Sequence, residues 1–150
     1  MAKILVIGAG GLVGSRILEL SKFKDEMITP THKELDITDL AAVKAYMEKM
    51  KPDVVVNLAA FTDVTEGEKQ RGDETGLCWR LNVEGVRNLL AVSDNLIQIS
   101  TDLVFNGQAG PYSEAQEAET DQSKVTWYGY TKGEAERLVK ASGETILRII

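Results

Sequence analysis

Ile4-Leu5-Val6-Ile7-Gly8-Ala9-Gly10-Gly11-Leu12-Val13-Gly14 decides how the rest of this chain is read. Four apolar, β-favouring residues run straight into a glycine turn, and a helical segment carrying Ile17, Leu18 and Leu20 follows. The glycine spacing has a physical reading. Gly8 suits a tight first turn, Gly11 leaves the backbone bare so that a pyrophosphate can approach, and Gly14 lets helix and strand pack closely. The helix N-terminus, with Leu12 and Val13 in its first turn, adds free N–H groups and the positive end of its dipole. A glycine loop without a ligand is the alternative, and the strand–turn–helix context favours the phosphate site over it.

Outward from this unit, apolar runs recur at 54–58, 96–99 and 146–150, the last interrupted by Arg148, with a weaker run at 27–29. They are continuous rather than alternating, as in parallel strands covered on both faces. Helical patterns lie between them. Leu40, Val43, Met47 and Met50 share one face, with Thr38 or Asp39 as the cap and Pro52 beyond the stop. A second pattern over about 81–92 turns Val86, Leu89 and Leu90 inward, and a third over about 128–140 does so with Ala135, Leu138 and Val139. This alternation predicts an α/β fold, a doubly wound parallel sheet of the Rossmann-type NAD(P)-binding kind, with ligands at the carboxyl ends of the strands. Residues 61–76 and 106–125 carry no period, and each follows a strand, which puts both on the ligand side. The second stretch is acidic, with Glu114, Glu117, Glu119 and Asp121.

The length of 150 residues is that of one domain with its own core, and residues 1–150 read as a dinucleotide-binding domain. A composition 43% hydrophobic and 27% charged is that of a soluble globular protein. The net charge of −6 opposes neutralisation of a phosphate backbone, so neither nucleic acid nor membrane is an expected partner. Cys78 is the sole cysteine and His32 the sole histidine, which excludes an intrachain disulfide and a His/Cys zinc site. A reducing, cytoplasmic setting without a metal fits. Residues 1–14 resemble a signal peptide in Lys3 and the apolar run, but the glycines break that run, and no apolar stretch reaches the roughly 20 residues that cross a bilayer.

At the end of the second strand an NAD enzyme places a carboxylate on the ribose 2′-hydroxyl. Thr29, Pro30, Thr31, His32 and Lys33 hold no acid, and His32 with Lys33 suits a 2′-phosphate. NADP is therefore expected, with NAD as the alternative. His32 reads equally as a solvated loop residue. Asp36-Ile37 can hold an adenine, and Asp36 reads equally as a turn residue flanking a helix.

Tyr128 and Lys132 stand four apart on a predicted helix and share a face. An ammonium beside a phenol is expected to stabilise the phenolate and lower its pKa, which suits general acid catalysis beside a hydride carrier. Thr101, in Ser100-Thr101-Asp102, falls just past the strand at 96–99, where its hydroxyl can meet a substrate carbonyl. The competing reading is plain turn chemistry.

Six segments in chain order now carry a resemblance. They are the glycine turn, Glu34-Leu35-Asp36-Ile37-Thr38-Asp39, Asn57-Leu58-Ala59-Ala60-Phe61-Thr62, Leu81-Asn82-Val83, Ser100-Thr101-Asp102-Leu103-Val104-Phe105-Asn106-Gly107, and Tyr128-Gly129-Tyr130-Thr131-Lys132. Together they resemble the extended short-chain dehydrogenase/reductase superfamily and, within it, the dTDP-4-dehydrorhamnose reductases. The resemblance implies Tyr128, Lys132 and Thr101 as catalytic residues. It implies dinucleotide contacts at Gly8, Gly11, Leu12, Val13, Gly14, Asp36, Ile37, Leu58, Ala59 and Ala60, with Ser100, Thr62 and Asn82 near the active site. For Asn82 and Thr62, packing and capping are the competing roles.

The implied reaction is reduction of the C4 ketone of a dTDP-6-deoxy-4-keto sugar by NAD(P)H, in dTDP-L-rhamnose biosynthesis. Leu103 stands where related dehydratases carry a glutamate, which argues against water elimination. It also stands where the rhamnose reductases usually have tyrosine, so the sugar nucleotide can differ. Two alternatives stay open: another nucleotide-sugar epimerase or reductase, and a non-catalytic NADP-binding regulatory subunit like the relative that associates with methionine adenosyltransferase. A homo-oligomer is left open as well. Because residues 146–150 read as a buried strand with no turn or cap after it, a C-terminal substrate domain is expected to be absent from this chain.

Overall fold

Five parallel strands build one sheet in the computed structural model, which describes residues 2–22 and 26–150. In chain order they are β1 (Ile4–Ile7), β2 (Met27–Ile28), β3 (Val54–Asn57), β4 (Leu96–Thr101) and β5 (Thr145–Ile149). In space the order is β2-β1-β3-β4-β5. The chain thus winds one way to β2 and the other way from β3 onward, and the crevice of such a sheet opens where the order reverses, between β1 and β3. Ile7 is in register with Asn57, and Asn57 with Gln98, so the carboxyl ends of the central strands come out together.

The helices are α1 (Leu12–Leu20), α2 (Leu40–Met50), α3 (Val64–Glu68), α4 (Leu77–Trp79), α5 (Gly85–Leu90) and α6 (Trp127–Ser142). A π-helical segment, Arg80–Glu84, joins α4 to α5. Val43 of α2, Val86 and Leu89 of α5, and Ala135 and Val139 of α6 form one buried cluster with Leu5, Ile7, Val55 and Leu96 of the sheet. Each large apolar side chain buried this way contributes roughly 1.5–3 kcal/mol. Of the two candidate caps for α2, Asp39 serves, accepting from the N–H groups of Ala41 and Ala42 at 2.9 and 3.2 Å. Thr126 caps α6 by accepting from Gly129 N at 3.1 Å, and Gly143, at φ 77, ends it.

The structure departs from the sequence reading in four places. The helix expected from residue 81 begins at Leu77, because Cys78 and Trp79 turn into a second core with Val83 and Trp127, where the two indoles stack at 5.8 Å. Residues 61–76 contain α3, too short to show a period and started by Asp63, whose carboxylate accepts from Glu66 N. Thr101 is the last residue of β4 rather than the first beyond it. Finally, β5 is an edge strand, not a buried one: Leu147 is 51% exposed and Ile149 37%. Its partner on the inner side is β4; its outer side has none among the described residues.

Candidate functional site

The crevice between β1 and β3 is built by backbone approaching backbone. Gly8 takes φ +82, and a Cβ on it would lie 2.6 Å from Ala59 N. A Cβ on Gly14 would lie 2.5 Å from the Gly8 carbonyl oxygen and 2.6 Å from Ala9 Cα, so α1 packs directly on the turn. Gly11 is different. Its Cβ would meet only the Gly8 oxygen, at 3.3 Å, and would otherwise stand in open space. The bare face at Gly11 therefore serves the crevice and not the fold. No side chain caps α1, which leaves the first-turn N–H groups at Leu12 and Val13 to an anion, while the Leu12 side chain is 90% exposed. A bare strand-to-helix turn of this kind fits a dinucleotide pyrophosphate.

The crevice, about 630 Å³, is lined by residues 8–11, by Thr29, Pro30, Thr31, His32, Asp36 and Ile37, and by Ala59, Ala60 and Leu81. Lys33 and Thr62 are exposed and outside that lining, and Leu58 is half-buried behind it. The Asp36 carboxylate accepts from Thr38 N at 2.8 Å and Thr38 Oγ1 at 2.7 Å. These bonds, with the nearby charges of Arg80 and His32, hold its pKa below the usual range. Ile37 is buried against Gly85, where a Cβ would lie 2.6 Å from Ile37 Cδ1. The five residues 29–33 hold no acid, and Glu34, just past them, is exposed and outside the lining. Glu34 folds back so that its Oε2 accepts from both Thr31 N and Thr31 Oγ1 at 2.8 Å, and those bonds lower its pKa.

One strand further along, Tyr128 and Lys132 leave α6 on one face, both buried. The Tyr128 phenol lies near the Thr101 hydroxyl. Burial raises its pKa, and the neighbouring Cys78 and Asp102 add to that rise. The Lys132 ammonium donates to the Ile99 carbonyl at 2.6 Å; burial lowers its pKa to about 8, opposed by Glu136. The expected depression of the phenol by the ammonium is therefore not what this arrangement does. Lys132 is committed to a main-chain carbonyl, and desolvation governs the phenol, which stays protonated at neutral pH as a proton donor.

Thr101 Oγ1 also accepts from Leu103 N at 3.2 Å. Beside it, the buried Ser100 hydroxyl has no hydrogen-bond partner among the described residues, an orphaned polar atom at the carboxyl end of β4. Asn82 is fully enclosed: its Oδ1 accepts from Phe61 N at 2.7 Å, and its Nδ2 donates to Thr131 Oγ1 at 2.9 Å and Phe61 O at 3.2 Å. It ties the strand end after β3 to α6 and has no group turned to the crevice.

Sequence reasoning missed the buried polar chain that links the two regions. Asn57 Oδ1 accepts from Ala59 N at 3.1 Å, Asn57 Nδ2 donates to Gln98 Oε1 at 2.8 Å, and Gln98 Nε2 donates to the same Ile99 carbonyl that holds Lys132. The available signal was Gln98 itself, an amide inside an apolar run. Also missed were Glu68 and Arg71 near the end of α3. Glu68 accepts from Trp127 N at 2.9 Å, and Arg71 donates to the carbonyls of Gln122 and Val125, so together they set where α6 starts. No local pattern announces those two.

A crevice at the switch point of a doubly wound sheet, with a phenol and an ammonium buried at the next strand end, defines a Rossmann-type α/β domain. The comparisons make this specific: the chain belongs to the RmlD substrate binding domain family, whose model matches residues 2–149. It is 40% identical over 141 residues to a dTDP-4-dehydrorhamnose reductase of Streptomyces griseus, covering 90% of this chain and 44% of that one. A solved dTDP-4-dehydrorhamnose reductase from Clostridium acetobutylicum superposes with a TM-score of 0.84 at 37% identity, over 97% of this chain and 52% of the other. One from Bacillus anthracis, in complex with NADP, gives 0.86 at 27% identity, over 99% and 53%. The chain thus spans about half the length of the relatives it matches. Among the described residues no helix is long and apolar enough to cross a membrane.

Proposed function

We propose that this chain is the NADP(H)-binding part of a reductase acting on the C4 ketone of a dTDP-6-deoxy-4-keto sugar, in a dTDP-L-rhamnose type of biosynthesis. The observation that carries the proposal is the buried Tyr128 phenol near Thr101 at the end of β4, beside an orphaned Ser100 hydroxyl and one strand from the glycine crevice. The dTDP-4-dehydrorhamnose reductases it resembles, one of them solved with NADP, support the choice of substrate and cofactor.

The residues divide the work. Gly8 and Gly14 hold the turn closed, and Gly11, with the amides at Leu12 and Val13, receives the pyrophosphate. Asp36 and Ile37 take the adenine, His32 sits where a 2′-phosphate is expected with Lys33 at the exposed edge, and Ala59 and Ala60 form the opposite wall beside Leu58. Bound NADPH supplies the hydride. Thr101 orients the carbonyl oxygen, Tyr128 gives it a proton, and Lys132 holds the ribose side while keeping a positive charge near the developing alkoxide. Ser100 offers its free hydroxyl to the same region; Thr62 and Asn82 act from the rim and from behind the wall. Sugar selection is assigned to the part of the relatives' length that this chain does not match, and the buried free thiol of Cys78 suits a reducing cytoplasm.

The test follows NADPH absorbance in the presence of dTDP-4-keto-6-deoxy sugars. Stoichiometric NADPH consumption with formation of the C4 alcohol is the expected result. Epimerisation without net consumption, or tight NADPH binding with no turnover on any sugar nucleotide, moves the assignment to an epimerase or to a binding subunit.

A further inference from the structure

At the carboxyl ends of β3 and β4 the ladder between the two strands gives way to side chains. Val55 N donates to Asn95 O at 2.9 Å, and the bonds of a parallel ladder are evenly spaced along the strands, so the same offset would bring Ala59 N to Ile99 O. Two buried amides intervene. Ala59 N donates instead to Asn57 Oδ1 at 3.1 Å, Asn57 Nδ2 donates to Gln98 Oε1 at 2.8 Å, and Gln98 Nε2 donates to Ile99 O at 2.9 Å. Towards β1 the main chain stays paired, Leu58 N donating to Ile7 O at 2.9 Å, so it is on the β4 side that the ladder opens. Both amides are enclosed in the sheet, Asn57 at 0% exposure and Gln98 at 1%.

The chain of amides has a fixed direction. A main-chain N–H can only donate, so Ala59, in the crevice wall, sets Asn57 with its oxygen towards that wall and its NH₂ towards Gln98. Gln98 must then present Oε1 to Asn57 and its own NH₂ to Ile99. The Ile99 carbonyl has a second lone pair, and the Lys132 ammonium donates to it at 2.6 Å. Glu136, one turn further along α6, gives its two oxygens to Arg148 on β5, at 2.9 and 2.6 Å, which leaves the Ile99 carbonyl as the hydrogen-bond partner of Lys132 among the described residues.

We infer that Asn57 and Gln98 are positioning residues for the proposed reaction: they keep the Ile99 carbonyl out of the ladder as the acceptor for Lys132, and so tie the place of that ammonium to the Ala59 wall of the dinucleotide crevice. The inference rests on the reductase reading given above. Apolar residues like Val55 and Ile97 in the same strands would brace the sheet without burying amides. They would also leave Ala59 N facing Ile99 O, and that pairing competes with Lys132 for the carbonyl.

The test reads hydrogen exchange of the Lys132 Nζ protons by NMR on ¹⁵N-lysine-labelled protein without cofactor, assigned with Lys132→Met, alongside urea melts of the same samples. The double variant Asn57→Val/Gln98→Leu removes both amides together and frees Ala59 N to take the Ile99 carbonyl. Exchange of the Lys132 protons is expected to rise about tenfold or more in a chain that still melts cooperatively, as for loss of a hydrogen bond from a charged donor. Gln98→Met keeps the side-chain length and the bond from Ala59 to Asn57, and a smaller rise in the same direction is expected. Wild-type exchange in the variants that fold, or failure of both to fold, makes the amides a brace and overturns the inference. NADPH binding to the wild type, measured separately by fluorescence, decides the cofactor reading without affecting this outcome.

Discussion

The two halves of the site are made of different material. At β1 and β3 the crevice is backbone against backbone, held open by the absence of side chains at Gly8, Gly11 and Gly14. At β4 and α6 the site is side chains buried with their charges, Tyr128, Lys132 and Glu136, joined by hydrogen bonds to carbonyls and to Arg148. Shape serves the first, because a pyrophosphate is gripped by amides that need close approach. Electrostatics serves the second, because the proposed proton donor would work through its protonation state. The contrast teaches where each half is fragile: the crevice to added volume, the β4–α6 end to changes in charge.

Added volume at Gly14 gives the largest expected effect. Gly14→Val forces a side chain into the Gly8 carbonyl and Ala9, and urea melts should show a loss of about 3 kcal/mol or more. A wild-type midpoint would mean that α1 does not pack on the turn as described. Next comes Tyr128→Phe in the reductase assay. Single-turnover reduction should fall by about 10²–10⁴-fold while NADPH affinity stays within about twofold, and equal reduction by the variant removes Tyr128 from proton transfer.

Lys132→Met sharpens the contrast by separating function from stability. The ordinary lysine pKa of 10.5 drops to about 8 in the folded chain, so between these values the unfolded chain holds more protons and stability rises with pH. At neutral pH, keeping that charge buried costs about 3 kcal/mol. The variant is expected to be more stable than wild type by roughly 1–2 kcal/mol at pH 7, losing that advantage near pH 10, while binding NADPH more weakly. Destabilisation at pH 7 would show that the bond to Ile99 outweighs the buried charge. The smallest effect belongs to the turn after β2: Glu34→Gln removes an exposed negative charge beside Thr31, which lines the crevice, and should tighten NADPH by about threefold, with NADH unchanged. Equal changes for both cofactors would place Glu34 away from the 2′ position.

The same contrast explains what could be read before folding. The crevice is local: strand, glycine turn and helix are contiguous within residues 4–20, so spacing alone carries most of the geometry. Tyr128 and Lys132 were found by a four-residue interval on one helix. Their surroundings were not, because Gln98, Glu136 and Arg148 are polar residues in apolar or amphipathic patterns whose partners lie 12 to 41 positions away. Arg148 was visible as an interruption of an apolar run, though nothing local tied it to Glu136. The direction of the Tyr128 shift could not be read from spacing either, since it depends on burial and on where Lys132 spends its hydrogen bond. Edge status escaped for β5 because four apolar residues around one arginine look the same at the edge of a sheet as at its centre.

Gly11→Val, titrated with NADPH by fluorescence alongside urea melts of the same samples, tests the central claim most directly. Gly11 has φ −76 and ψ 176, a conformation open to any residue, and its Cβ direction is nearly empty, so the fold should tolerate valine within about 1 kcal/mol. The account predicts NADPH affinity reduced by about 100-fold or more in a chain that still melts cooperatively, because the side chain occupies the pyrophosphate's path. Wild-type affinity in the folded variant would contradict it.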